Sequence, residues 1–148
     1  MIKSFNMLSK TATYGIKATL YIAFLSQQDK RVRLPEIAKN IDSPQHFTAK
    51  IVQQLAKYGL INSLKGPNGG FEMTLDQRNN CNIRSIVEVL DGNSLYTKCG
   101  LGLDQCNDDK PCPIHLLYKS VRDQVTDMHT NISIEELAKH LDDIAVLK

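Results

Sequence analysis

A loop rich in cysteine contains the residues of this chain that could do chemistry. Its side chains follow the spacing Cys-x6-Cys-x5-Cys-x2-His and are Cys99, Cys106, Cys112 and His115. Glycine, aspartate, asparagine and proline separate them, which is typical of a loop that wraps around a ligand. Because soft thiolates select zinc, copper(I) or iron–sulfur clusters, the pattern predicts a metal or cluster site. The remaining cysteine, Cys81, lies outside this spacing and is predicted to be a small core or surface residue.

Three thiolates and one imidazole suit several centres, and their spacing alone does not choose between them. Cysteine thiolates hold iron–sulfur clusters, and an imidazole can replace one of them. Zinc would take the same four donors in a closed tetrahedral site, but zinc ligands usually come in pairs about two to four residues apart, and only Cys112 and His115 do so. Oxidisable thiols without any metal are the third interpretation. The wide spacing of the cysteines is looser than that of most zinc sites, and the three interpretations stay open on spacing alone.

The same residues offer one enzymatic interpretation, in which Cys112 is a nucleophile and His115 is its base. No other pair of acid and base stands out in the sequence, no phosphate-binding loop precedes a helix, and no pattern indicates an apolar pocket. We therefore expect that the protein is not an enzyme.

The compartment follows from what the sequence does not contain. The first ten residues, MIKSFNMLSK, lack the apolar core of a signal peptide, and no run of about 18 apolar residues could span a membrane. We expect a cytoplasmic protein without a membrane partner. Thiols stay reduced in that compartment, which favours a metal site over a disulfide.

Charge is divided unevenly along the 148 residues. Residues 1–80 hold 11 Lys/Arg and 5 Asp/Glu, a balance of +6, whereas residues 81–148 hold 7 and 11, a balance of −4. The hydrophobic content of 42% is enough to bury the core of one domain, or of one domain with an extension. The basic half indicates a polyanionic partner, although many basic surfaces are only solvated.

The basic half reads as a helix-turn-helix followed by a hairpin. Apolar residues recur every four positions over residues 8–28, which predicts a long first helix. Pro35 starts a short helix that ends at Asp42, and Ser43 is predicted to cap a second helix that runs to Tyr58. The stretches INSLK, GPNGG and FEMTL then predict strand, turn and strand. This order predicts a winged helix, mainly α with a small β-hairpin.

A winged helix can place its second helix in the major groove of DNA and its hairpin along the minor groove. The polar stripe of that helix can instead be an ordinary solvated face, and the glycines can serve turn geometry alone. We favour DNA because helix and hairpin indicate the same partner. The predicted DNA contacts are Lys10, Gln45, His46, Thr48, Lys50, Lys57, Lys65, Asn68, Gly69 and Gly70.

The acidic half contains the cysteine loop, residues 93–112, and a long helix, residues 113–131. Residues 1–80 are predicted to form the DNA-binding domain and residues 81–148 the rest. A narrow apolar seam along the long helix fits either its own domain or the same helix of a second subunit. We favour a homodimer, with the predicted interface residues Leu117, Val121, Val125 and Met128. Ser133 is predicted to cap a last helix that continues through Leu147.

Four stretches together resemble one family, the winged-helix bacterial repressors that include the iron–sulfur cluster regulator IscR, the nitric-oxide sensor NsrR and the cysteine-metabolism regulator CymR. They are LSKTATYGIKATLYIA, LPEIAKNIDSPQHFTAKIVQQLAKYGLI, KGPNGGFEMTL and the cysteine loop leading into the long helix. The resemblance is strongest to the cluster-binding members. It implies a dimeric repressor that senses redox state, nitric oxide or cluster status, with a cluster-free thiol-based or zinc-stabilised regulator as the alternative.

The resemblance also implies a ligand set. Cys99, Cys106 and Cys112 match the three cysteine ligands of the family, and His115 matches the histidine that completes a two-iron cluster. In four-iron nitric-oxide sensors a carboxylate of the partner subunit can be the fourth ligand, and the matching position here is Thr13, which has no carboxylate. A [2Fe–2S] cluster is therefore favoured over [4Fe–4S], although three nearby carboxylates could also serve, those of Asp104, Asp108 and Asp109.

Overall fold

The computed structural model describes residues 7–148, so most of the stretch MIKSFNMLSK lies outside the described residues. The helices are α1 (Lys10–Ser26), α2 (Leu34–Asn40), α3 (Gln45–Lys57), α4 (Leu75–Asn80), α5 (Ile83–Asp91), α6 (Ser94–Thr97), α7 (His115–Asn131) and α8 (Ile134–Lys139). Strands β1 (Asn62–Leu64) and β2 (Gly70–Glu72) form an antiparallel pair, and a 3-10 turn spans Ile144–Leu147. The predicted fold class is confirmed. None of the helices in residues 7–148 is long and apolar enough to cross a membrane.

Helix α1 is the central element of the core. The Ser9 hydroxyl caps it by accepting the N–H of Ala12 at 3.0 Å. The helix packs against α3, α5 and α8. Gly15 lies close to α5, and a Cβ added there would lie 2.3 Å from Leu90 Cδ1, so the Leu90 side chain would have to move. The first helix thus joins the helix-turn-helix to α5 and to the C-terminal helix α8.

The helix-turn-helix is present, but its second helix starts differently from the prediction. Helix α3 has Pro44 at its N-cap and receives no side-chain cap. Ser43 was expected to be that cap, and this is wrong because its hydroxyl instead meets the hydroxyl of Thr48. At the other end the chain turns away through Gly59, whose φ of +79° suits glycine.

The hairpin carries a third extended segment along its edge. Val32 and Phe71 exchange both backbone hydrogen bonds, at 3.1 and 2.7 Å. The segment before α2 therefore pairs with β2 through a single bridge residue, Val32. The approach is so close that a Cβ on Gly70, where φ is +136°, would lie 2.7 Å from the Val32 carbonyl oxygen. The hairpin of β1 and β2, which is the wing of this fold, is therefore bonded to the segment that leads into the helix-turn-helix.

Two short helices, α4 and α6, were not predicted. Helix α4 has a capping box in which the Thr74 hydroxyl accepts the Gln77 N–H at 3.1 Å and the Gln77 side chain accepts the Thr74 N–H at 2.9 Å. The pattern Thr-x-x-Gln is a recognisable start signal. The strand predicted over FEMTL included Thr74 and Leu75, which are the N-cap and the first residue of α4, and so this start signal was overlooked.

The C-terminal segment returns to the main core. Ile134, Ala138 and Leu147 share one buried cluster with Ile22 and Ile37 from the N-terminal half. The core thus extends across the boundary predicted after residue 80.

The predicted last helix is not continuous, since α8 ends at Lys139 and a separate 3-10 turn begins after Asp143. Its continuation through Leu147 is wrong because the Asp143 carboxylate accepts the N–H of Ala145 at 2.9 Å and starts a new turn.

An ion pair with little exposure fixes α8 to α4. Arg78 Nε donates to Glu135 Oε2 at 2.5 Å, and the two side chains are 11% and 8% exposed. The Gln27 amide donates to the same carboxylate oxygen at 3.0 Å. Burial alone would raise the pKa of Glu135, but the hydrogen bonds from Gln27 and Arg78 lower it overall.

We expect Glu135→Ala to lower the free energy of unfolding by about 3 kcal/mol or more, because it leaves the Arg78 guanidinium buried without its partner. Since the folded-state pKa of Glu135 is lowered, its contribution is full above the unfolded pKa of about 4.3 and is lost as pH falls through the folded value. Urea unfolding of the wild type and Glu135→Gln across this pH range measures it. The exposed neighbour Glu136→Gln is the control, and an equal pH dependence in all three proteins would contradict the assignment.

Candidate metal centre and nucleic-acid interface

The structure brings the three predicted cysteine ligands together. One sulfur atom from each of Cys99, Cys106 and Cys112 lies within 4.8 Å of the others, and the Cys99 and Cys112 sulfurs are 3.8 Å apart. All three thiols are half-buried and form no disulfide. The fourth cysteine, Cys81, is 4% exposed in the main core, as predicted for a small core residue. Three soft donors at one point form a donor set suited to a thiophilic metal or cluster.

Helix α7 holds the Cys99 end of the loop. From α7, the Arg122 guanidinium donates to the carbonyl oxygens of Thr97 and Lys98, at 3.2 and 3.0 Å, just before the cysteine. Backbone N–H groups of Leu103 and Leu101 lower the pKa of Cys99 to about 7. A lowered pKa favours the thiolate, which is the form that binds metals.

The other two cysteines are linked to each other by the backbone. The Cys112 N–H donates to Cys106 Sγ at 3.3 Å. That contact lowers the pKa of the Cys106 thiol, but burial and the adjacent Cys112 and Cys99 sulfurs raise it overall. At this separation, ionising all three thiols without a cation beside them is unfavourable, because the resulting thiolates repel each other.

His115 stands next to the cysteines at the first position of α7. Its side chain is 8% exposed, and its Nδ1 atom lies 3.2 Å from Cys106 Sγ. On the other edge of the ring, Nε2 lies 2.9 Å from an oxygen of Asp108. The hydrogen bond from His115 lowers the pKa of Asp108. The imidazole is thus adjacent to one sulfur of the triad, and the residues present fit a Cys₃His centre.

The predicted DNA-binding residues divide into two groups. Most are exposed on α1, α3 and the wing; these are Lys10, Gln45, His46, Lys50, Lys57, Lys65 and Asn68. The prediction that Thr48 faces DNA is wrong, because the residue is 0% exposed and its hydroxyl donates to the Pro44 carbonyl at 2.9 Å. Gly69 is also buried, and its N–H donates to Gly66 at 3.0 Å. It shapes the turn instead of offering a free N–H, while Gly70 is partly exposed in β2.

Two arginines brace the wing and were missed in the sequence. Arg33 Nη2 donates to the carbonyl oxygens of Gly66, at 3.1 Å, and of Pro67. Arg31 donates to the Asn68 carbonyl at 3.0 Å and to the Glu72 carboxylate at 2.8 Å. The alternation Arg-Val-Arg was the available signal, since every second residue of an extended segment lies on the same side. Arg33 adds a positive charge beside the wing, whereas the charge of Arg31 is balanced by Glu72.

Helix α7 exposes part of its predicted seam. Leu117, Val121 and Met128 are 75%, 51% and 55% exposed, whereas Val125 is half-buried. The opposite side of α7 packs against α5 and α6. Three large apolar side chains in line on one helix face form a patch of the kind that marks a protein–protein contact.

Comparison with known proteins identifies the family. The model of the Rrf2 family, described as iron-dependent transcriptional regulators, matches residues 8–140. The chain belongs to the Rrf2 family. It is therefore a DNA-binding transcriptional regulator and not an enzyme, as the sequence predicted.

Individual relatives agree with this assignment. An Aquifex aeolicus protein described as a putative HTH-type transcriptional regulator is 31% identical over 141 residues, which cover 91% of this chain and 96% of the relative. IscR of Vibrio cholerae is 28% identical over 130 residues, covering 88% and 73%. The predicted resemblance is confirmed.

Solved structures show the same Rrf2 fold. CymR, the global cysteine regulator of B. subtilis, superposes with a TM-score of 0.74 at 22% identity and covers 96% of this chain and 100% of its own. IscR of T. potens gives 0.68 at 19% identity, covering 89% and 85%. Because both structures are less than 25% identical to this chain, they support the shared fold alone.

For this Rrf2 protein we expect Lys50→Ala and Lys65→Ala each to weaken binding to a DNA duplex that the wild type binds. Each lost phosphate contact should lower the slope of log affinity against log salt by about one. Fluorescence anisotropy at several salt concentrations measures both quantities. Lys139→Ala is the control, because this exposed lysine lies on α8 and not on α3 or the wing, where the predicted DNA contacts under test lie. Wild-type affinity and slope in both variants would refute the interface.

Proposed function

We propose that this chain is a homodimeric transcriptional repressor whose DNA binding responds to an iron–sulfur cluster held by Cys99, Cys106, Cys112 and His115. The observation that carries the proposal is the convergence of the three sulfur atoms within 4.8 Å of one another. The imidazole that follows them in the chain lies 3.2 Å from the Cys106 sulfur. A regulator of this kind would act in the cytoplasm, where thiols stay reduced.

A cluster of the [2Fe–2S] type suits these donors best, since three thiolates and one imidazole give the four protein ligands that it needs. When bound, it would supply a centre that reacts with oxidants or nitric oxide. The chain itself supplies three thiols and a histidine at the first position of α7. Asp104 and Asp109 are exposed, and the group of residues that converges in the described part of the chain contains neither of them.

The path from the cluster site to DNA runs through packed helices. Helix α7 begins at His115, and it packs against α5, which in turn packs against α1 and α3. The exposed face of α7 would meet the same face of a second subunit. Loss of the cluster should loosen the cysteine loop between α6 and α7 and alter the spacing of the two winged helices, and that spacing is what a two-fold operator reads.

A second candidate function is a thiol-based regulator without a cluster. It is favoured by the 3.8 Å separation of the Cys99 and Cys112 sulfurs and by the pKa of about 7 for Cys99. A zinc-stabilised form of the same site would use the same four donors. Metal content separates these possibilities.

The dimer is tested by placing a charge in the exposed seam of α7. We expect Val121→Asp to yield monomers in analytical ultracentrifugation, because a buried carboxylate without a partner costs several kcal/mol in an interface. Ser120→Asp adds the same charge at an exposed position about 100° around the helix and should leave the dimer intact. A dimeric Val121→Asp protein, or a monomeric wild type, would contradict this interface.

The cluster is tested by measuring iron, acid-labile sulfide and zinc per chain after anaerobic purification. We expect iron and sulfide in equal amounts in the wild type, none in Cys112→Ala, and a reduced amount that decays faster in air in His115→Ala. Cys81→Ala is the control, because this buried cysteine lies outside the triad. Zinc alone would contradict the cluster and support the zinc form, and a metal-free wild type would support the thiol-based regulator.

A further inference from the structure

Asp108 contacts His115 on the edge of the imidazole that faces away from the nearest cysteine. We propose that Asp108 is a positioning residue that holds His115 with its proton on Nε2, so that the Nδ1 lone pair points to the cysteine triad. The inference rests on the proposed function, since it gives His115 its place in the cluster site. In this role the Asp108 carboxylate binds the imidazole and is not itself a ligand.

The two ring nitrogens of His115 have different partners. Nδ1 lies 3.2 Å from Cys106 Sγ, and Nε2 lies 2.9 Å from Asp108 Oδ1. An ionised carboxylate can only accept a hydrogen bond, so the Nε2 edge must carry the proton. A neutral imidazole has one proton, which leaves Nδ1 unprotonated and able to donate its lone pair to a metal.

A turn in the cysteine loop brings the carboxylate back to the histidine. The Asn107 side-chain oxygen accepts the N–H groups of Asp109 and Lys110, both at 2.9 Å. The Asn107 N–H closes the turn on the Lys110 carbonyl at 3.4 Å. Such an Asx turn fixes the backbone around Asp108. The carboxylate therefore meets the ring while 75% of the Asp108 side chain stays exposed.

The arrangement prepares the ligand before any metal arrives. Because the ring is 8% exposed and bonded on both edges, His115 has little freedom to turn Nδ1 away from the sulfurs. Partners of this kind orient ligating histidines and raise their basicity, and their loss typically costs about 10–100-fold in metal affinity. The neighbouring Asp109 lies in the same loop and carries the same charge, but among the described contacts the carboxylate hydrogen-bonded to the ring is that of Asp108, which makes Asp109 a matched control.

The first test needs no cluster. Long-range ¹H–¹⁵N NMR of the reduced, metal-free protein distinguishes the two neutral tautomers of the ring and so reports which nitrogen carries the proton. The His115 signal is assigned by its absence in His115→Ala. We expect the Nε2–H form in the wild type and in Asp109→Ala, and a mixture of both forms in Asp108→Ala. The backbone amide spectrum shows that each variant is folded. An Nδ1–H form in the wild type would overturn the proposal.

The second test uses protein reconstituted anaerobically with iron and sulfide. We expect the cluster absorption of Asp108→Ala to decay at least about 10-fold faster than that of the wild type under a fixed chelator concentration. Asp108→Asn should fall between them, because the amide oxygen still accepts the Nε2 proton, and Asp109→Ala should match the wild type. Equal decay in Asp108→Ala and Asp109→Ala would overturn the positioning role.

Two further outcomes separate this inference from the proposed function. If Asp108→Ala abolishes the cluster while His115→Ala retains it, the carboxylate is the ligand and the positioning role is wrong. If the wild type takes up no iron but shows an Nε2–H form that depends on Asp108, the cluster proposal fails and the role of Asp108 in orienting the imidazole stands.

Discussion

The crowding of three cysteine sulfurs at the start of α7 is the constraint on which the rest of the site depends. Thiolates this close repel each other, so the site needs either bound protons or a metal that neutralises them. The surrounding loop adds few apolar contacts, since Leu101 and Leu103 are about half exposed. Ordering such a loop costs conformational entropy that little burial offsets. Bonds to a metal would supply the missing stabilisation. The loop would then be more ordered when the centre is bound than when it is absent.

In the proposed regulator, helix α7 would connect the state of the centre to the remainder of the molecule. Its first residue touches the cysteine site, its exposed seam offers an interface, and its later turns contact the core. There the His129 Nδ1 atom and the Tyr96 hydroxyl lie 2.9 Å apart, both buried, and α6 is thereby joined to α7. Because α5 packs against α7 as well as against α1 and α3, a change in the loop would have a packed route to the winged helix under the proposed function. A chain of packed elements with two arrangements is what coupling between sites requires.

Much of this architecture follows from local patterns in the sequence. Helical periodicity located α1 and α7, and proline and glycine marked the helix-turn-helix and the wing, because these residues restrict or free the backbone where they stand. Thr48 was misplaced because a threonine hydroxyl can bond to the preceding turn and then faces the core. The roles of Arg31 and Arg33 depend on carbonyl groups more than 30 residues away, which no local pattern contains. The contact from Asp108 to His115 arises in the same way, from a turn that folds the loop back.

Native mass spectrometry of the anaerobically purified protein tests the central claim most directly, because one spectrum shows both the subunit number and the mass of any bound centre. The account predicts a dimer whose excess mass equals one [2Fe–2S] cluster for each chain, and brief exposure to nitric oxide should change that excess mass. A monomer, or a dimer with the mass of zinc or of the bare chains, would contradict it.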